Sequence, residues 1–372
     1  MKVTVERAAL LKSLGHVHRV VERRNTIPIL SNVLLRAEGG ALRLRATDLD
    51  LEVTETLPAE VALDGATTVP AYVIYDIIRK LPDGAQISLE SVQEGAQVVI
   101  RAGRSRFTLQ ALPESDFPDL AADELPHTFA IKASELKKLI DKTQFAISTE
   151  ETRYYLNGIF FHAFDVDGTK KLRAVATDGH RLARVETEAP AGAGDIPGII
   201  VPRKAVAEIQ KLVDGIDDEV QVELSSSKIR LTAGTVVLTS KLIDGTFPDY
   251  QRVIPQNNDK RLIVDRAEFA TAVDRVSTIS SERGRAVKLS LTEGRLTLSV
   301  TNPDSGSATE EIEVEYESEA LDIGFNARYL LDIASQLDGD TAILLLADPG
   351  SPTLVQDHEG GNALYVLMPM RV

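Results

Sequence analysis

The segment VATDGHRLARV at 175–185 puts Asp178, His180 and Arg181 within four residues of one another. An imidazole beside a carboxylate is the pairing of a general base with the group that orients it. The other parts such chemistry needs are missing from the sequence. There is no Gly-x-Ser-x-Gly elbow, no Walker A lysine loop and no His-Glu-x-x-His. GAGDIPG at 192–198 has the wrong spacing for a dinucleotide loop, and Pro197 interrupts it. Asp165-Val166-Asp167-Gly168 is too short for a calcium loop and reads as a turn. The 6 histidines are scattered without metal spacing, and the absence of cysteine excludes disulfides and thiolate zinc sites. The chain therefore reads as non-enzymatic, with no metal and no cofactor.

The elements that position this cluster follow from pattern. The 372 residues are 43% hydrophobic and 26% charged, enough apolar material for two or three domains with real cores. No window approaches the apolar length of a membrane span, and the chain opens on an alternating strand pattern without an apolar signal segment, so a cytoplasmic protein is expected.

Three weak repeats emerge, roughly 130 residues apart. VTVERAALLKSL, FAIKASELKKLI and LIVDRAEFATAV each begin as a strand and continue at helical spacing. VPAYVIYDIIRKLPDG, VPRKAVAEIQKLVDG and FNARYLLDIASQLDG each read as strand end, helix and Asp-Gly stop. Between them lie period-two runs around Gly39-Gly40, Asp167-Gly168 and Glu293-Gly294, which predict antiparallel hairpins leading into Thr47-Asp48, Thr177-Asp178 and Thr301-Asn302. Phe117-Pro118-Asp119 recurs as Phe247-Pro248-Asp249. The fold class is α+β: three copies of a domain with two helices packed on antiparallel sheet, over 1–126, 127–259 and 260–372. Leu10/Leu14 and Ile77/Leu81 are expected to face the sheet.

The net charge of −15 argues against a simple tight nucleic-acid binder, but screening beyond about 8 Å lets a local basic surface act alone. Every predicted helix carries a base, such as Lys12, Arg79, Lys138, Lys142, Lys204, Arg275 and Arg328, while acids crowd the strands and loops. A repeated basic helical surface suggests sequence-independent contact with the phosphates of DNA or RNA. With 5% aromatics, base stacking is not the mode.

The chain resembles the bacterial sliding clamps, the beta subunits of DNA polymerase III, from end to end. The residues that carry this are MKVTVER at 1–7, TIPIL at 26–30, ATDL at 46–49, GRSRF at 103–107, RYYLNG at 153–158, VATDGHRLA at 175–183, IVPRK at 200–204, FPDY at 247–250 and MPMR at 368–371. The resemblance implies a homodimeric six-domain ring around duplex DNA, helices inward, that tethers the polymerase without catalysing anything. Implied partners are the replicative polymerase alpha subunit, the clamp loader delta subunit, and other polymerases and repair proteins with short linear motifs; no membrane is involved. The alternatives are an inhibitor-resistance paralogue or a protein-interaction scaffold of the same fold.

By the same resemblance, a partner-peptide groove comprises Arg153, Leu156, Thr177, Gly179, His180, Arg181, Leu182, Pro248, Arg252, Val253, Val366, Met368, Pro369, Met370, Arg371 and Val372. This composition suits a short peptide with Leu and Phe anchors, and the flexible thioethers of Met368 and Met370 can repack around varied partners. Implied DNA contacts are Arg24, Arg79, Tyr154, Tyr155, Arg203 and Lys204, with the carboxylate of Glu150 nearby opposing phosphate. The implied dimer interface sets Arg104, Arg106 and Phe107 against Ile279, Glu310 and Glu311.

Overall fold

A computed structural model describes residues 1–120, 123–280 and 286–372. In the first repeat, β1 (Lys2–Glu6) runs into α1 (Arg7–Val17), and β2 (Asn32–Glu38), β3 (Ala41–Thr47) and β4 (Leu51–Pro58) form a meander. Then β5 (Glu60–Leu63) and β6 (Gly65–Pro70) lead to α2 (Ala71–Lys80), and β7 (Gln86–Val92), β8 (Gln97–Ala102) and β9 (Ser105–Gln110) follow. The second repeat has β10 (His127–Lys132), α3 (Ala133–Asp141), β11 (Gly158–Val166), β12 (Thr169–Thr177), β13 (Arg181–Glu188) and β14 (Ile199–Pro202). It continues with α4 (Arg203–Val213), β15 (Glu219–Leu224), β16 (Lys228–Ala233) and β17 (Val236–Lys241). The third has β18 (Lys260–Asp265), α5 (Arg266–Ser277), β19 (Ala286–Thr292), β20 (Arg295–Asn302), β21 (Gly306–Glu313) and β22 (Glu315–Tyr316). It ends with β23 (Leu321–Asn326), α6 (Ala327–Ala334), β24 (Thr341–Leu346), β25 (Thr353–Gln356) and β26 (Ala363–Leu367).

Local chemistry accounts for these boundaries. Glu6 caps α1 by accepting from the backbone N–H groups of Ala8 and Ala9, which hold its carboxyl below the ordinary range. Asp265 and Asn326 cap α5 and α6 in the same way. All three expected hairpins form. Gly39-Gly40 and Asp167-Gly168 have positive φ at both positions, as a two-residue turn matched to strand twist requires. On α1 the apolar stripe is Leu10, Leu14 and Val17, as expected. On α2 it is Ala71, Ile74 and Ile78, and Ile77 is only half-buried. The expected pair Ile77/Leu81 is corrected here: at 3.6 residues per turn, Ile74, Ile78 and Leu81 share one face and Ile77 flanks it.

The chain divides into two compact units. The first comprises Met1–Leu136, Pro190–Ala193 and Lys204–Leu242. It holds a sheet ordered β5-β1-β7-β8-β9 and an eight-stranded sheet ordered β10-β15-β16-β17-β4-β3-β2-β6. The second comprises Lys137–Ala189, Gly194–Arg203 and Ile243–Val372. It holds a nine-stranded sheet ordered β14-β11-β12-β13-β26-β25-β24-β18-β22 and a four-stranded sheet ordered β21-β20-β19-β23. Thus repeats are not separate sheets: β17 of the second pairs antiparallel with β4 of the first, and β26 of the third with β13 of the second.

Candidate functional site

The opening cluster is a turn held by its own side chains. Thr177 Oγ1 donates to Arg181 O (2.7 Å) and accepts from Gly179 N (3.1 Å). Asp178 Oδ1 accepts from His180 N (2.9 Å) and Arg181 N (3.1 Å), and its other oxygen accepts from Arg181 Nε (3.2 Å). The carboxylate thus organises backbone amides rather than orienting the His180 ring. Thr47 and Asp48 make the same bonds to Leu49, Asp50 and Leu51. Leu49 (φ 80°) and Gly179 (φ 87°) occupy the same left-handed position. At Gly179 a Cβ would also lie 2.6 Å from Arg153 Nη1. Arg181 is fully engaged: it donates to Asp332 (2.5 Å) and Phe145 O (2.8 Å), and its guanidinium lies 4.2 Å from the Tyr329 ring centroid.

This turn forms one end of an apolar groove in the second unit. Leu182 on β13 and Val366 on β26 are paired across the ladder. They pack with Leu156, Val175, Phe247, Tyr250 and Ile254 in one buried cluster. A cavity of about 240 Å³ opens above it, lined by Arg153, Tyr155, Leu156, Thr177, Gly179, Arg181, Leu182, Pro248, Asp249, Tyr250, Val253, Val366 and Met368. Val253 (48%) and Met368 (39%) are exposed at the rim, available to an incoming apolar side chain. Two stacked rings, Phe160 and Phe247 (4.8 Å), fasten the segment that follows β17 onto the sheet.

Tyr250 fastens it a second time. The Ala163 carbonyl can only accept, so His162 Nδ1 carries the proton in that 3.0 Å contact. His162 Nε2 then accepts from the Tyr250 hydroxyl (2.9 Å), whose oxygen accepts from Arg173 Nη1 (3.2 Å). Arg173 in turn donates to Glu186 (2.6 Å). Burial pushes the Tyr250 phenol up and the His162 imidazolium down, so both are neutral near pH 7.

Ten of the sixteen residues expected at the groove line it. His180 stands beside it, offering its carbonyl to Met368 N (2.9 Å) while its ring faces Tyr329. Arg252 points out to solvent, paired with Asp249. Pro369, Met370, Arg371 and Val372 do not line it, because the chain leaves the groove after Met368: Met370 pairs with Gly324, and Arg371 and Val372 border a separate cavity of about 420 Å³. Conversely, Tyr155, Asp249 and Tyr250 belong to the groove. Tyr155, expected at DNA with Tyr154, is half-buried against the apolar cluster, whereas Tyr154 is 53% exposed.

The repeats show why this groove is apolar only in the second copy. The ladders put Arg45 and Glu52 where the second repeat has Val175 and Leu182. Arg45 and Glu52 form an ion pair (2.6 Å), and Asp119 adds a second carboxylate (3.0 Å). The cavity lined by Arg45 and Asp119, about 620 Å³, is consequently charged. In the third copy the equivalent positions are Ser299 and Ser307.

The remaining expected residues differ in state. Arg24 and Arg203 are exposed, and Arg79 is exposed but paired with Asp76 (3.0 Å). Lys204 donates to Val20 O (2.9 Å), Glu22 and Asp48 (2.5 Å). Burial alone would lower its pKa, but these acceptors raise it; its charge is matched at home. Lys142 is buried and likewise paired, bonded to Gln336 O and Asp338. Two of the expected helix bases, Lys142 and Lys204, are therefore paired within the chain. Lys12, Lys138 and Arg328 are exposed. Glu150 is bonded twice by Arg153 (2.9 and 2.7 Å), which lowers its pKa. Arg106 and Phe107 lie on β9 and Arg104 in the turn just before it, and Glu310 and Glu311 lie on β21; both strands are sheet edges. Glu310 is engaged by Arg275 (2.9 Å) and Glu311 by Arg295 (3.3 Å). Ile279, half-buried after α5, accepts from Asn302 Nδ2 through its carbonyl (2.9 Å). Among the described residues no cluster could hold a metal, and no helix is long and apolar enough to cross a membrane.

Family models for the N-terminal, central and C-terminal domains of the DNA polymerase III beta subunit match residues 1–121, 130–249 and 251–371. The chain is 55% identical over 372 residues to the beta sliding clamp of Caulobacter vibrioides, covering 100% of both. It is 41% identical over 379 residues to that of Escherichia coli, again covering 100% of both. A crystal structure of a sliding clamp from Bartonella birtlesii bound to griselimycin superposes with a TM-score of 0.97 at 58% identity, covering 100% of both chains. The three repeats, their shared sheets and these full-length similarities agree: the chain belongs to the DNA polymerase III beta subunit family, the beta sliding clamps.

Proposed function

We propose that two copies of this chain close head to tail into a ring around duplex DNA, and that the groove tethers polymerases and other partners carrying short apolar motifs. The observation that carries the ring is the pattern of strand pairing. Within the chain, each joint between repeats uses the last strand of one and the strand after the hairpin of the one before: β17 with β4, and β26 with β13. That arithmetic leaves β9 and β21, both sheet edges. An edge strand presents unpaired N–H and C=O groups and pairs readily with another chain. Transferring the register of the two internal joints sets Ser307 opposite Thr108 and, continued one residue past the end of those ladders, Glu311 opposite Arg104 in a second copy. The charges at Arg104 and Arg106 complement the acids of β21.

The chain then acts as a cytoplasmic, non-catalytic accessory subunit with repeats at 1–126, 127–259 and 260–372. Exposed helix bases such as Lys12, Lys138 and Arg328 attract phosphate without reading sequence. A tethered polymerase rebinds at high effective concentration, which lengthens its products. The replicative polymerase alpha subunit and the clamp loader delta subunit are the first candidates for the groove. Primer extension on a long circular template tests this. The wild-type chain lengthens products, whereas the rim variants V253D and M368D leave the dimer intact and give products as short as those without it. Long products from both variants would contradict the groove assignment.

A further inference from the structure

After its last hairpin, each repeat returns to the strand that precedes its second helix. Leu112 pairs with Thr68 on β6, Ile243 N donates to Ile200 O on β14 (3.0 Å), and Met370 N donates to Gly324 O on β23 (2.7 Å). The ladders put Thr68, Ile200 and Gly324 at one equivalent position, two residues before the one that precedes the helix. The first two carry side chains there and the third cannot. A Cβ on Gly324 would lie 2.3 Å from Val372 Cγ1 and 2.7 Å from Met370 O. Gly324 is not among the residues of positive φ, so space rather than backbone conformation explains it.

The C-terminal residues are thus held at two points. Met368 N is bonded to His180 O (2.9 Å) beside the groove, and Met370 N to Gly324 O. Between these two bonds the chain has little freedom to turn the Met368 side chain away from the groove it lines. We propose that Gly324 is a positioning residue: by admitting 370–372 against β23, it fixes Met368 in the groove wall and so sets affinity for an apolar peptide. This rests on the groove being the peptide site.

The test uses the full-length chain, a fluorescent pentapeptide with Leu and Phe anchors, and carboxypeptidase digestion followed by mass spectrometry. G324A is expected to release the C-terminal residues at least about tenfold faster and to weaken peptide binding about tenfold, with the dimer and melting temperature near wild type. G324A/V372G removes the nearest clash, Val372 Cγ1, and leaves Met370 O at 2.7 Å, so it is expected to recover part of the lost affinity, a recovery that general loss of fold does not give. Unchanged digestion in G324A, released residues with unchanged peptide affinity, or a double variant no better than G324A would each overturn the proposal. If the wild-type chain itself bound no peptide, the groove reading would fail. The digestion arm would then still report whether Gly324 holds the C-terminus.

Discussion

Asp178 and His180 look alike in a search for chemistry, yet they differ in what they bond. Asp178 accepts two backbone N–H groups and a guanidinium, so its side chain is part of the turn. Removing it strands those donors, and D178A is expected to destabilise the fold by about 1–2 kcal/mol. H180A should change stability by less than about 0.5 kcal/mol, because the contact to Met368 is made by the backbone carbonyl. Chemical denaturation of both variants checks this. His162 offers a second residue-scale test. Its pKa is lowered in the fold by burial, so the folded state binds fewer protons than the unfolded chain. The stability it contributes is present above its unfolded pKa, near 6.5, and is lost as pH falls toward the lower folded value. Melting temperature should therefore fall between pH 7.5 and 5 more steeply in the wild type than in H162Q. Parallel profiles would contradict the burial of a neutral His162. Binding at the groove should also respond weakly to salt. The rim ions are already paired within the chain: Arg153 with Glu150, Arg252 with Asp249 and Arg181 with Asp332.

At the scale of elements, strands and hairpins were legible because period-two alternation and Gly turns are local signals. The six helices were legible from their apolar spacing, although Ile77 shows that a rich apolar run hides which stripe is buried. Two features could not be read locally. The ladders β17–β4 and β26–β13 join segments far apart in sequence, and nothing in either strand names its partner. Likewise MPMRV was read as one groove segment, but its residues part company: Met368 stays in the groove and Met370 turns to β23. Tyr250 escaped because its role depends on His162 and Arg173, which arrive from two other strands. The proposed β9–β21 register belongs to this scale. R104E puts like charges opposite at Glu311 and should weaken the dimer severalfold in analytical ultracentrifugation, while R104E/E311R should recover it. A dimer indifferent to R104E and R106E would remove this interface.

The whole molecule carries a net charge of −15 and yet is read as surrounding DNA. These are compatible only if attraction is local and retention is topological rather than chemical. Lys142 and Lys204, matched by their own carboxylates, show that the chain does not present every helix base to a ligand. Contact with phosphate should then be weak and steeply salt-dependent. A closed ring, by contrast, stays on a circle at a salt concentration that abolishes binding to linear fragments. The decisive measurement is retention of the chain after clamp-loader treatment on nicked circular DNA at high salt, before and after a single restriction cut. A closed ring is retained on the circle and lost upon linearisation. Equal loss from the two forms, or equal retention on both, would contradict it.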